Sequence, residues 1–146
     1  MPQCKTIGSH AFYAAHKLPK IILPEVTTIT GTYNFADYKE GRNFTTKEII
    51  LPKLTSISNF EYTFKNRRGV NNLIFPSLGN NEIPVIRYHA FRDCVHLNAL
   101  VFGGANMIKL ETADAFSYTG VNSPLPLFLY VRENLINSYT SDSNWA

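Results

Sequence analysis

Cysteine is almost missing: Cys4 and Cys94 are the only two in 146 residues. Two thiols cannot build the dense disulfide framework of a small secreted domain, so reduced thiols in a reducing compartment are expected. Charge is thin as well, at 17% of residues, and the formal net charge is +3. So small an excess favours acidic partners slightly and does not by itself announce nucleic-acid binding. No stretch approaches the roughly 18 consecutive apolar residues that span a membrane, and membrane insertion is not expected. The opening MPQCKTIGSHAFYAAHKLPK has neither a charged segment leading into an apolar run nor a small-residue cleavage site, so no leader is expected.

Chemistry-bearing patterns are equally scarce. There is no Cys-x-x-Cys or His-x-x-x-His pair, and no metal is expected. A Gly-x-Ser-x-Gly elbow and a glycine-rich phosphate loop are also missing, so no catalytic residue is named and no cofactor is expected. His10 and His89 each stand just before Ala-Phe and are read as features of a repeating turn rather than as ligands. Asn34 and Thr63 are read as their counterparts in the units between.

What the chain does contain is 45% hydrophobic residues arranged in repeats. Short apolar runs closed by proline recur at Ile21-Ile22-Leu23-Pro24, Ile49-Ile50-Leu51-Pro52 and Leu73-Ile74-Phe75-Pro76. Leu100-Val101-Phe102 is followed by Gly103 instead, and Phe128-Leu129-Tyr130-Val131 by Arg132. In phase with these runs, Ile7, Ile29, Ile57, Ile86 and Leu110 each precede a phenylalanine: Phe12, Phe35, Phe64, Phe91 and Phe116. One unit of this size cannot bury its own apolar side, so stacked units bury it against each other. Ala11, Phe12, Leu18, Phe35, Phe64, Phe91, Leu97 and Phe116 are the expected core. Gly103-Gly104 is expected to shape a turn.

The stretch Ile-Gly-Ser-His-Ala-Phe (7–12), then Leu18 and Ile-Ile-Leu-Pro, resembles the BspA-like class of leucine-rich repeats. Residues 86–97, Ile-Arg-Tyr-His-Ala-Phe-Arg-Asp-Cys-Val-His-Leu, match it more closely, with Cys94 at the family's buried cysteine position. The tail from Leu129 through Leu135-Ile136 and Tyr139 to Trp145 resembles the C-terminal cap of such arrays. The resemblance implies a leucine-rich-repeat solenoid. About five short parallel β-strands would stack as one sheet, with irregular turns or short helical segments on the other side and a helical cap at the C-terminus. One domain over 1–146 is expected, with repeats near 7–28, 29–56, 57–85, 86–109 and 110–131 and the cap at 132–146. Leu135, Ile136 and Tyr139 should face the last coil. Extra residues around 40–44 and 78–83 and Arg132 in place of a proline depart from the pattern.

Strand alternation then sets the outer face. If Ile21 and Leu23 point inward, Ile22, Ile50, Ile74, Val101 and Tyr130 point outward as one apolar row, with Phe128 beside it. β-propensity alone would also place branched residues there; a contiguous apolar row on a surface otherwise marks a binding site. Arg42 and Phe44, in the first insertion, are candidates for choosing the partner. Lys65, Arg67, Arg68, Arg87 and Arg92 form a second candidate surface, on solvated turns, for an anion or nucleic acid.

The family's members are typically adhesins, surface proteins and proteins of phages and mobile elements that act as binders. The expected function is therefore a non-enzymatic protein-binding module, a small phage or mobile-element binder or inhibitor of a bacterial host-defence protein. A piece of a surface adhesin or phage particle protein, and a nucleic-acid binder, are the alternatives. A protein is the expected partner, nucleic acid the less favoured one, and self-association through the sheet face a further option. The expected location is the cytoplasm of a bacterial host if the chain is complete, and a cell surface or phage particle if it is a fragment.

Overall fold

The computed structural model describes residues 3–37, 45–123 and 125–145. In chain order the strands are β1 (Thr6–Ile7), β2 (Lys20–Ile22), β3 (Thr28–Ile29), β4 (Glu48–Ile50), β5 (Ser56–Ile57), β6 (Asn72–Phe75), β7 (Val85–Ile86), β8 (Ala99–Phe102), β9 (Lys109–Leu110) and β10 (Phe128–Val131). A 3₁₀ turn at Ala113–Phe116 and another at Glu133–Leu135 precede one short helix, α1 (Ile136–Ser141).

The longer strands stack as one parallel five-stranded sheet in the order β10-β8-β6-β4-β2. Ile21, Ile49, Leu73 and Leu100 share one inward row, and Leu23, Leu51, Phe75 and Phe102 the next. Each run is too short for a hairpin, so the chain must circle the core before the next strand can pair in parallel. Pro24, Pro52 and Pro76 fall at or just past strand ends, where the missing N–H costs no ladder bond. The fourth run ends on glycine where the chain bends, as expected, and close packing adds a second reason. A Cβ on Gly103 would lie 2.6 Å from the Pro76 carbonyl oxygen, and one on Gly104 only 1.9 Å from that of Leu78. Neither glycine has a positive φ; both are there because the coil below comes too close for a side chain.

A second set of ladders closes the other side of the core, built from strands of two residues. β1, β3 and β5 pair in parallel, a bridge joins Phe60 to Ile86, and β7 pairs with β9. Short strands there, rather than only irregular turns, were not foreseen. Between the two sides runs a column of nearly parallel rings. Centroids are 5.3 Å apart for Phe12–Phe35 and Phe35–Phe64, 5.6 Å for Phe64–Phe91 and 5.1 Å for Phe91–Phe116. Left-handed residues flank these phenylalanines at the second position on either side: His10, Tyr33, Tyr62 and His89 before, and Ala14, Asn66, Asp93 and Tyr118 after. The backbone turns sharply into and out of the core so that each ring can point at the column.

Of the expected core, Phe35, Phe64, Phe91 and Leu97 are buried, while Phe12 and Phe116, at the two ends, are partly covered. Ala11 and Leu18 are exposed, Leu18 at 44%. Their counterparts Ala90 and Leu97, in a coil with neighbours on both sides, are buried. At the far end Trp145 leans on Phe116 at 5.8 Å, and Tyr139 is buried. Ile136, though 46% exposed, lines an open cleft with Leu129 and Val131 of the last coil. Arg132 adopts φ −62°, the value a proline would impose, and its Nε donates to the Gly103 carbonyl at 2.6 Å. The arginine thus keeps the expected proline's shape and adds a bond that proline could not make.

Candidate interaction face

The outward residues of the sheet are aligned by the strand register itself. Ile22 pairs with Ile50, Ile50 with Ile74, Ile74 with Val101, and Val101 with Tyr130. Ile22 is 54% exposed, Ile74 51% and Tyr130 53%, with Ile50 and Val101 half-buried between them. Phe128 stands next to Tyr130, ring centroids 6.3 Å apart. The exposed prolines Pro24, Pro52 and Pro76 lie two residues beyond the row in three successive coils and widen it. On its other flank Lys20 and Glu48 form an ion pair at 2.5 Å. Ile50, Ile74, Pro52 and Pro76 line an open groove of about 340 Å³, edged by Glu48 and Asn72. The five residues are one surface at about 4.8 Å per step. Arg42 and Phe44 lie outside the described residues.

The five basic residues do not make a comparable surface. Arg67 is buried at 2% exposure, not on a solvated turn. Its Nε donates to the Phe35 carbonyl, and Nη2 to that of Phe12 at 2.7 Å. Nη1 reaches the Ala15 carbonyl and the Thr46 hydroxyl at 3.5 and 3.4 Å, and lies 3.6 Å from the Asp37 carboxylate. Burial lowers the guanidinium's pKa, and Asp37 opposes the shift. The reason is its slot, three residues after a column phenylalanine. In the next coil that slot holds Cys94, whose Sγ donates to the Phe64 carbonyl at 3.1 Å, and after that Thr119, whose hydroxyl donates to the Phe91 carbonyl at 2.7 Å. These three coils each supply a side-chain donor to the phenylalanine carbonyl of the coil before; the Phe64 and Phe91 carbonyls, which also accept the N–H of Arg67 and Cys94, thereby fill their second acceptor site inside the core. Burial pushes the Cys94 thiol up to about 12, which leaves it an inert core residue.

Lys65 and Arg92 do fall side by side in adjacent coils, since Phe64 N–H donates to Ala90 and Asn66 N–H to Arg92. Their charges are engaged locally: Lys65 lies over the Tyr62 ring, and Arg92 pairs with Asp93 at 3.4 Å and reaches His89 Nε2 at 2.7 Å. Arg68 lies 3.8 Å from Asp93, and Arg87 lies 3.6 Å from Glu111.

The histidine slot also differs from the expected one by a residue. Tyr33 and Tyr62, not Asn34 and Thr63, are the counterparts of His10 and His89. His10 stacks on Tyr33 at 5.2 Å, and Tyr33 on Tyr62 at 4.5 Å. His89 meets Tyr62 edge-on at 5.6 Å. The Tyr33 and Tyr62 faces cover each other, so this row turns edges outward rather than platforms on which a base could stack. Elsewhere, His16 Nδ1 lies 3.4 Å from Asp37, beside Arg67. The nearby Thr46 hydroxyl donates to the Leu18 carbonyl at 2.6 Å. Among the described residues no group of three His, Cys, Asp or Glu side chains is placed to hold a metal, and no helix is long and apolar enough to cross a membrane.

Comparison with curated proteins and with solved structures returned no match to this chain. The family model for the BspA-type leucine-rich repeat region matches residues 1–122 in six copies. Stacked parallel strands, the phenylalanine column and a donor in the Cys94 slot are what such repeats build here, and the chain belongs to the BspA-type leucine-rich repeat family.

Proposed function

We propose that this chain is a protein-binding module that works without chemistry, through the outer face of its five-stranded sheet. Repeats of this family are protein-interaction repeats. The observation that carries the reading is the register-aligned row Ile22, Ile50, Ile74, Val101 and Tyr130, apolar in every strand and contributing nothing to the core. Ile22, Ile74 and Tyr130, each more than half exposed, leave apolar area that a partner would remove from water. Ile74, at the centre and beside the groove, and aromatic Tyr130 are the natural anchors.

The finer reading is a small binder or inhibitor of a bacterial protein, carried by a phage or mobile element and acting in the host cytoplasm. It rests on the company this family usually keeps, as does the alternative of a surface adhesin or phage-particle piece. The nucleic-acid reading is weakened by the burial of Arg67 and by the acidic neighbours of Arg68, Arg87 and Arg92.

The test is capture from a bacterial lysate with the parent and the Ile50→Ser, Ile74→Asp, Tyr130→Ala triple variant side by side, read by quantitative mass spectrometry. The variant should lose the parent's partner while its melting temperature stays within a few degrees. Equal recovery by both would place the binding site elsewhere.

A further inference from the structure

The flanks of the outer apolar row carry charges whose order reverses from one coil to the next. In the coil of β2 the row is preceded by Lys20 and followed by Glu25; in the coil of β4 it is preceded by Glu48 and followed by Lys53. Along the chain the order is plus, Ile22, minus in one coil and minus, Ile50, plus in the next. Within the chain these charges pair along each flank, Lys20 with Glu48 at 2.5 Å and Lys53 with Glu25 at 2.8 Å, and all four side chains stay open to solvent. The next two coils hold no charge at these positions, with Asn72 and Ser77 in one and Ala99 and Gly104 in the other; in the fifth they are Phe128 and Glu133. Lys17 stands on the turn before β2, and alternation turns Lys47 away from the side of the strand that carries Glu48.

This arrangement is complementary to itself. Two copies can meet face to face about a two-fold axis that lies in the contact and runs along the stack. Their strands then run antiparallel, each coil meets the same coil, and Ile22, Ile50, Ile74, Val101 and Tyr130 meet their own counterparts. Lys20 of one copy faces Glu25 of the other, and Glu48 of one copy faces Lys53 of the other. Each flank becomes a square of four charges alternating in sign, made from two ion pairs that already exist. With the axis along the strands instead, Lys20 would face Phe128 of the other copy and Glu48 would face its Ala99. The charges therefore select the first geometry.

We propose that a second copy of this chain covers the sheet face in this way, as an isologous dimer. The proposal rests on the reading of that face as the interaction surface, and names an occupant for it. Five strands at about 4.8 Å and about six residues at about 3.3 Å give a contact of roughly 1,000 Å² over both copies, the size of a weak and reversible interface. Such a dimer exchanges readily, so a tighter partner can displace the second copy from the same row.

Sedimentation over a concentration series tests this with two charge-exchange variants. The first carries Lys20→Glu with Glu48→Lys, the second Glu25→Lys with Lys53→Glu. Each keeps its ion pair within the chain with the signs reversed and should keep the fold, which melting curves check. Either variant alone sets like charges against each other on both flanks and should dimerise at least about tenfold more weakly than the parent. An equal mixture of the two sets opposite charges against each other on both flanks and should recover the parent's dimer. Ile74→Asp in the parent brings two carboxylates together at the centre and should abolish it. A parent that stays monomeric up to about 1 mM, or a mixture that associates no better than either variant, overturns the proposal and leaves the sheet face to the capture experiment. A dimer that Ile74→Asp abolishes but the exchanges leave intact keeps the sheet face and rejects this geometry. A dimer indifferent to Ile74→Asp lies off the sheet and overturns the proposal as well.

Discussion

Replacing Arg67 by alanine should unfold this solenoid far more readily than any change on its exposed turns. The side chain bonds the carbonyls of Phe12 and Phe35, and reaches Ala15, Thr46 and the buried Asp37 carboxylate. Breaking a buried ion pair by removing one partner costs about 3–5 kcal/mol, of which His16, 3.4 Å from the Asp37 carboxylate, offsets part. Each lost hydrogen bond to a carbonyl costs about 0.5–1.5 kcal/mol more, and these terms overlap because the groups are neighbours. A net loss of about 3 kcal/mol or more follows, which for a chain of this size lowers the melting temperature by roughly 6 °C or more. Arg67→Cys puts the next coil's donor into the same slot, so it should recover the bond to Phe35 but not the pairing with Asp37. Adding Asp37→Asn to Arg67→Ala removes a buried charge that has lost its arginine and should restore part of the loss. The assay is thermal unfolding by circular dichroism across the three variants and the parent. An Arg67→Ala variant that melts within about 2 °C of the parent would refute the staple and return Arg67 to the solvated turn.

Four further outcomes follow from burial. Phe91→Ala breaks the middle of the ring column and should cost about 3–5 kcal/mol in denaturant unfolding; an unchanged midpoint would mean the column does not hold the core. Leu97→Ala should cost about 2–5 kcal/mol. Leu18→Ala, in the matching slot of the first coil and 44% exposed, should cost far less, about 0.5 kcal/mol. Cys94 is buried and its thiol is pushed up to about 12; a thiol reagent at pH 8 should therefore spare it in the native chain and modify it only in denaturant. Rapid labelling of Cys94 in the native state would contradict its place in the core.

The large sheet was legible because its signal is a period: apolar runs with alternating faces, closed by proline, at a spacing only stacked coils explain. Inward Ile49 and outward Ile50 follow from alternation alone, and so does the row from Ile22 to Tyr130. The second set of ladders was not legible, because strands of two residues such as Thr28–Ile29 have no period to read. Arg67 was misplaced because an arginine beside Arg68 looks like a solvated pair. The signal that could have found it was there, in the shared offset of Arg67, Cys94 and Thr119 from Phe64, Phe91 and Phe116. Ala11 and Leu18 misled for the opposite reason. Their motif is that of a buried coil, and burial depends on a neighbour that the motif itself cannot supply. The Tyr33–Tyr62 stack was missed through a one-residue shift in aligning the histidines, which only the left-handed backbone at His10, Tyr33, Tyr62 and His89 corrects.

The affinity of the captured partner for single variants on the two sides of the stack tests the sheet face most directly. Ile74→Asp stands at the centre of the outer row, and Tyr62→Asp on the opposite side. Titration calorimetry should show Ile74→Asp weakening binding by about a hundredfold or more, as expected for a central apolar anchor, with Tyr62→Asp close to the parent. Equal affinities for Ile74→Asp and the parent, or a loss confined to Tyr62→Asp, would contradict binding through the sheet.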